Sequence, residues 1–192
     1  LPYGCGWYRK HFRVTDMDRG RRLVLYFEAV ANNCIVYCNG SPILRNSCGY
    51  NSFFADITDF VRYETDNVIA VFVDATEHEG WWYEGGGIYR HVWLYKTDPV
   101  HVAPWGVFIK PCKTDAGWIL TIETELINDS GTAQDTRIMH TIRSRDGDVA
   151  AVGEDGLSVD GWDSGKCSVS LPLADAHLWD PDDPYLYTCE TT

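Results

Sequence analysis

The sequence predicts an all-β protein built as two successive domains, and three observations carry that reading. Short segments alternate apolar and polar residues at a period of two, and turn residues recur about every 8–12 positions. No long amphipathic helical pattern interrupts them. The composition also breaks near Asp98-Pro99: residues 1–98 carry ten Lys/Arg against twelve Asp/Glu, whereas residues 99–192 carry six against sixteen. The first part holds nineteen of the 26 aromatic residues, so one boundary near residues 96–99 accounts for both shifts.

In the first domain Leu23, Leu25 and Phe27 alternate with Arg22, Val24, Tyr26 and Glu28, as a half-buried strand requires. Residues 7–14, Cys34–Cys38, 67–74 and 92–95 are further strands. Asn39-Gly40 follows Cys34–Cys38 where a tight hairpin needs positive φ, so both are assigned structural roles. Asp56 to Phe60 predicts one helical turn with a capping Asp. This spacing indicates a sandwich or barrel. In the second domain residues 100–109, 118–128, 136–144 and 166–173 are strands, separated by Asn128-Asp129-Ser130-Gly131, Arg145-Asp146-Gly147-Asp148 and Asp160-Gly161. A chain of this length and spacing suits an immunoglobulin-like sandwich. Residues 185–192 look like a strand cut off without its partner.

The formal charge of −12 argues against nucleic acid, because a phosphate backbone needs a Lys/Arg stripe and none is visible. Seven Cys fall at irregular spacing, with no CxxC pair to suggest zinc or redox chemistry. Cys34 and Cys38 cannot pair within one strand: four residues span about 13 Å, and a disulfide needs Cα atoms roughly 4.4–6.8 Å apart. Reduced, mostly buried thiols and a cytoplasmic setting follow. No apolar run is long enough to cross a membrane, and no signal-peptide pattern is present. The chain begins at Leu1 inside folded-looking sequence, which predicts an excised segment whose targeting signal, if any, lies elsewhere.

The richest segment is 77–94. His78-Glu79-Gly80-Trp81-Trp82 begins like a zinc-protease helix, but Trp82 stands where the second His is needed. Gly85-Gly86-Gly87 begins like a phosphate loop, but Arg90 replaces the third fingerprint glycine. Neither a metal nor a cofactor is therefore predicted. Trp81, Trp82 and Tyr83 cannot all face one core in an extended segment. One reading is an aromatic lip that touches sugar, with Glu79 or Glu84 accepting hydroxyl hydrogen bonds; the other is a stiff corner that positions two domains. Arg90, in the aromatic segment that follows, is expected to be structural, held by an ion pair or bidentate hydrogen bonds because an unpaired guanidinium is costly to bury.

At this segment the chain resembles the N-terminal part of family 2 glycoside hydrolases, above all bacterial β-galactosidases. Gly6-Trp7-Tyr8-Arg9-Lys10, Val36-Tyr37-Cys38-Asn39-Gly40, Gly49-Tyr50 and Asp56-Ile57-Thr58-Asp59 follow the family's order. Residues 67–74 resemble its N-x-(L/I)-A-V-x-V-D strand, and residues 82–94 its W-Y-x-G-G-G-I-Y-R-x-V-W-L element. Leu178-Trp179-Asp180-Pro181 with Pro184-Tyr185-Leu186-Tyr187 resembles the element that closes its immunoglobulin-like domain. Trp81 stands where many relatives have Arg, and Glu79 about where an Asp often contacts the sugar.

The resemblance implies a jelly-roll-like, sugar-binding β-sandwich at 1–98, truncated at its N-terminus, and an immunoglobulin-like β-sandwich at 99–192 lacking its last strand. It implies that both catalytic Glu residues lie on a (β/α)₈ barrel outside this chain, so no catalytic residue is expected here. The parent would be a retaining enzyme acting on β-galactosides, whose two carboxyl groups stand about 5–5.5 Å apart. This part would brace and shape the active-site mouth and contribute to homo-oligomer contacts. A β-glucuronidase or β-mannosidase parent, a free-standing carbohydrate-binding module and a purely structural spacer are the alternatives.

Overall fold

The computed structural model describes residues 4–77, 80 and 85–192. They belong to two compact units, Leu1–Asp98 and Pro99–Thr192, and each is a β-sandwich.

In the first unit, β1 (Gly4–Arg13), β4 (Cys34–Cys38), β5 (Ser41–Asn46) and β7 (Asp66–Ala75) form an antiparallel sheet in the order β1-β7-β4-β5. The second layer is β2 (Arg22–Phe27), β6 (Phe53–Asp56) and β9 (Val92–Thr97), in the order β6-β2-β9, while β3 (Val30–Ala31) pairs with β8 (Gly87–Ile88). Alternation decides which side chains face inward. Asn67, Ile69, Val71 and Val73 of β7 are buried, as are Cys34, Val36 and Cys38 of β4 and Leu23, Leu25 and Phe27 of β2. They join in one continuous core, to which each fully buried Val, Leu or Phe contributes about 1.5–3 kcal/mol.

The β4–β5 hairpin turns on Asn39 (φ 50°) and Gly40 (φ 90°). Two successive positive φ values match the right-handed twist of the flanking strands. Asn39 also ties this turn to a distant loop. Its Nδ2 donates to Phe60 O and to Asn67 Oδ1, both at 2.8 Å, and its Oδ1 accepts from Val68 N at 3.0 Å. Asn67 is fully buried, and it accepts from Arg62 N and donates to Arg62 O, each at 2.7 Å. The helical turn expected at 56–60 is a single 3₁₀ turn, Thr58–Phe60. Asp56 precedes it and accepts from Thr58 N and Oγ1 at 2.9 and 2.6 Å.

The second unit packs β10 (Val100–Thr114), β11 (Gly117–Asn128) and β14 (Asp163–Leu173) against β12 (Gln134–Arg143), β13 (Val149–Val159) and β15 (Thr188–Thr191). Its core is divided. Ile122, Ile142, Val169 and Leu171 form one cluster; Leu126, Ile138, Val159 and Cys167 form another. Thr124 and His140, both fully buried, sit between the two clusters in strand order, and Thr124 Oγ1 lies 3.2 Å from His140 Nε2. His140 Nδ1 lies 3.0 Å from Thr191 Oγ1.

The structure corrects the reading of 185–192 as a strand without a partner. Only Thr188–Thr191 is extended, and it pairs antiparallel with β12, from Arg143↔Thr188 to His140↔Thr191. Thr192 continues the pairing through reciprocal bonds with Met139 at 2.7 and 2.9 Å. Residues 185–187 instead serve the preceding loop. Tyr185 stacks on His177 with ring centroids 4.2 Å apart, and Tyr187 Oη accepts from His177 N at 2.9 Å.

All seven Cys are free; Cys34, Cys38 and Cys167 are buried, while Cys5 and Cys112 are exposed. Among the described residues no helix is long and apolar enough to cross a membrane.

Candidate functional site

The five sugar-contact candidates, Glu79, Trp81, Trp82, Tyr83 and Glu84, lie outside the described residues. Their supporting frame does not. β7 delivers the chain to Ala75, and the chain returns through Gly85-Gly86-Gly87 into β8, which pairs with β3 as Ala31↔Gly87 and Val30↔Ile88. This return is tight. A Cβ on Gly86 would stand 2.9 Å from the Cβ of Ala75, and one on Gly87 would run into the Tyr8 hydroxyl. Gly87 also has φ 102°, open to glycine at little cost. Tyr89 then anchors the far side by donating from Oη to Gly49 O at 2.8 Å.

Beside this frame stands an acidic group that inspection of the sequence missed. Glu28 Oε1 accepts from Trp93 Nε1 at 3.0 Å, and Oε2 accepts from His91 N at 3.3 Å with His91 Nδ1 at 3.2 Å. The indole N–H and then the His91 groups hold the carboxyl of Glu28 below its ordinary range despite some desolvation. At the end of β7, Asp74 Oδ1 accepts from Thr76 Oγ1 and N at 2.6 and 3.1 Å, and these bonds lower its pKa in the same way. Both groups are ionised acceptors suited to hydroxyl recognition.

Arg90 lies in a bend between two strands. The strand breaks after Ile88, the chain bends through 89–91, and β9 begins at Val92. Arg90 is therefore carried outward and exposed, with its guanidinium 5.5 Å from the Tyr89 ring centroid. Among the described residues it makes no ion pair, and the carboxylates of Glu79 and Glu84 lie outside them. Asn39 and Gly40 lie in the β4–β5 turn described above, where the Asn39 side chain bonds to Phe60, Asn67 and Val68.

Four carboxyls, those of Asp18, Glu28, Asp74 and Asp183, are held below the ordinary carboxylate range. For Asp18 the cause is chiefly Lys96 Nζ at 2.8 Å; for Asp183 it is chiefly Arg145 at 3.1 Å. Among the described residues no group of three or more His, Cys, Asp or Glu converges to hold a metal ion.

Comparison with known proteins places this frame in context. Residues 2–99 match the model described as "Glycosyl hydrolases family 2, sugar binding domain", and residues 100–192 match "Glycosyl hydrolases family 2". The β-galactosidase BoGH2A of Bacteroides ovatus is 37% identical over the whole chain, which spans 23% of that protein. A β-glucuronidase of Formosa agariphila is 27% identical across 96% of the chain and 21% of its own length. A glycosyl hydrolase family 2 member from Bacteroides cellulosilyticus superposes with a TM-score of 0.94 at 30% identity, over 98% of this chain and 26% of that one. The β-glucuronidase of Bacteroides uniformis gives 0.88 at 26% identity, over 99% and 24%. The chain thus spans about a quarter of the length of these relatives.

Proposed function

The chain belongs to glycoside hydrolase family 2, and from that premise we propose that it is the non-catalytic sandwich pair of a β-galactosidase. The single observation that carries the choice of substrate is the 37% identity, over the entire chain, to a β-galactosidase. Its relatives also include β-glucuronidases at 27% and 30% identity, which makes glucuronide the competing substrate.

The chain spans about a quarter of its relatives' length, and that supports the non-catalytic part of this reading. Glycoside hydrolysis needs a carboxylic acid kept protonated near neutral pH to donate to the leaving group. Asp18, Glu28, Asp74 and Asp183 are each held ionised instead. Acceptors of that kind orient sugar hydroxyls; they do not protonate glycosidic oxygen. In this reading the frame of β3, β7 and β8 fixes the two ends of the 78–84 segment and so shapes the mouth of a site whose catalytic carboxylates lie on a barrel elsewhere in the parent.

The test is to assay the parent protein and this chain side by side on aryl β-galactoside and aryl β-glucuronide. Turnover of the galactoside by the parent, with none by the 192-residue chain, is expected. Preference for the glucuronide would overturn the substrate, and turnover by the chain that is lost on replacing one of its acids would overturn the non-catalytic role.

A further inference from the structure

The two layers of the first unit differ in width: one has four strands, ending on β1, and the other has three, ending on β9. The β1–β7 register sets Tyr8 opposite Val71, Lys10 opposite Ile69 and Phe12 opposite Asn67. Val71, Ile69 and Asn67 are buried, so Tyr8, Lys10 and Phe12 share the inner face with them. That face is left partly open. Tyr8 is 42% exposed and Lys10 is exposed, and on β9 Val92, opposite Phe27, is 40% exposed although it too faces inward.

Between β1 and β9 an open cleft of about 550 Å³ reaches the core, a size within the range of small-molecule sites. Leu25, Phe27, Ile69 and Val71 form its floor, and Tyr8, Val92 and Trp93 stand at its sides. Its charge has one sign. Among the described residues no carboxylate lines it, whereas Arg9 and Lys10 do. The Arg9 guanidinium stands over Trp7, 5.6 Å from the ring centroid, on the outer face. The Lys10 ammonium is therefore the charge turned inward. Lys96, the inward lysine of β9, donates to Asp18 Oδ2 at 2.8 Å. Among the described residues Lys10 has no such partner.

We infer that this cleft takes a linear alkyl carboxylate, with its tail on the apolar floor and its head group against Lys10. Burying the tail withdraws apolar surface of both ligand and floor from water. The carboxylate accepts a charge-assisted hydrogen bond from the ammonium. From Tyr8 to Phe12 β1 runs about 13 Å, which suits a chain of medium length lying along the strand. An alkyl cation would be repelled by Lys10, and an alcohol would leave its charge unmatched. A strand added to the free edge of β9, from a second copy or from elsewhere in the parent, is the poorer occupant. It would cover Lys10 and strip its hydration, and inward-pointing charges are a means by which sheet edges refuse further strands. The cleft would serve whichever glycoside the parent cleaves.

The experiment is a calorimetric titration of the 192-residue chain and of the parent protein with dodecanoate, dodecanol and dodecyltrimethylammonium, with sedimentation velocity to follow association. Dodecanoate is expected to bind both proteins with Kd of about 10–100 μM, about tenfold more tightly than dodecanol, and the cation least. Lys10→Gln should weaken dodecanoate about tenfold and leave dodecanol unchanged, and Lys10→Glu should turn the preference towards the cation. The comparison of head groups on the unaltered chain needs no variant to fold. No saturable binding of dodecanoate, equal affinity for all three probes, or unchanged dodecanoate affinity in Lys10→Gln would overturn the site. Binding by the chain but not by the parent would overturn it too, by showing that another segment of the enzyme covers the cleft. So would a dimer that dodecanoate fails to dissociate and Lys10→Glu abolishes, which would assign the cleft to a second copy.

Discussion

The two sandwiches solve the same packing problem differently. In the first unit both layers contribute to one apolar core that runs unbroken from Val14 through Phe27 and Val36 to Val73. In the second, the hydrogen-bonded pair Thr124–His140 interrupts the apolar filling and leaves two clusters of four buried residues each. A continuous core draws its stability from area and tolerates small misfits by spreading them. A divided core depends on one geometry, because a buried polar group that loses its partner keeps the whole cost of its desolvation.

The largest expected effect tests the continuous core. Phe27→Ala removes a fully buried ring that stacks on Phe53 at 4.9 Å, and it should destabilise the first unit by about 3–5 kcal/mol. Urea titration followed by unit-resolved amide signals would measure it, and a loss under 1 kcal/mol would mean that this core is less tightly packed than described.

Next comes the polar pair. Thr124→Val leaves His140 Nε2 without its partner and should cost the second unit about 1–3 kcal/mol. Adding His140→Leu should restore most of that loss by joining the two clusters into one. If the double variant is no more stable than Thr124→Val, the polar layer is not what divides this core.

A somewhat smaller effect is expected at the hairpin. Asn39→Gly keeps positive φ and loses three side-chain bonds, a cost of about 1 kcal/mol at a half-exposed site. Asn39→Asp should cost more than Asn39→Gly, since a carboxylate would face two acceptor oxygens, Phe60 O and Asn67 Oδ1. Equal melting temperatures for the two variants would show that the tie to the 58–67 loop carries no weight.

The smallest effect separates the units by pH. Burial lowers the pKa of His140, so its neutral form belongs to the folded state. A lowered folded pKa leaves stability intact above the unfolded value, about 6.5, and removes it as pH falls from there towards the folded one. The second unit should therefore lose melting temperature between about pH 7 and pH 5, and His140→Leu should flatten that slope. The lowered carboxyls of the first unit, Asp18, Glu28 and Asp74, withdraw their contributions only at lower pH, below the ordinary carboxyl range near 4. A steeper loss in the first unit over the higher window would reverse the assignment.

Much of the fold was legible because local periodicity carried it. The alternation of Leu23, Leu25 and Phe27, and the Asn39-Gly40 turn, need only neighbouring residues to be read. β5 escaped notice because SPILRN carries Pro42 on an edge strand, where its missing N–H costs nothing. β13 escaped because VAAVGEDGLSV looks like a turn-rich loop, although Gly153 lies where any side chain would meet Leu171 and Val169. The site was harder. Glu28, His91 and Trp93 meet across more than sixty residues of sequence, and Lys10 turns inward only once β1 is paired with β7. The run from Ile88 to Leu94 looked like one strand, whereas the chain bends in its middle, between β8 and β9.

The same Asn39-Gly40 turn has a chemical lifetime. When the backbone nitrogen of a glycine attacks the side-chain carbonyl of the asparagine before it, ammonia leaves, and hydrolysis of the cyclic imide gives aspartate or isoaspartate. In the folded hairpin the Asn39 carboxamide is held by three hydrogen bonds, which restrain the rotation that attack requires. Each unfolding excursion releases it. A molecule aged in this way would return to the turn with a carboxylate where a donor is needed, so the hairpin that closes the sheet also records how often the chain has been open.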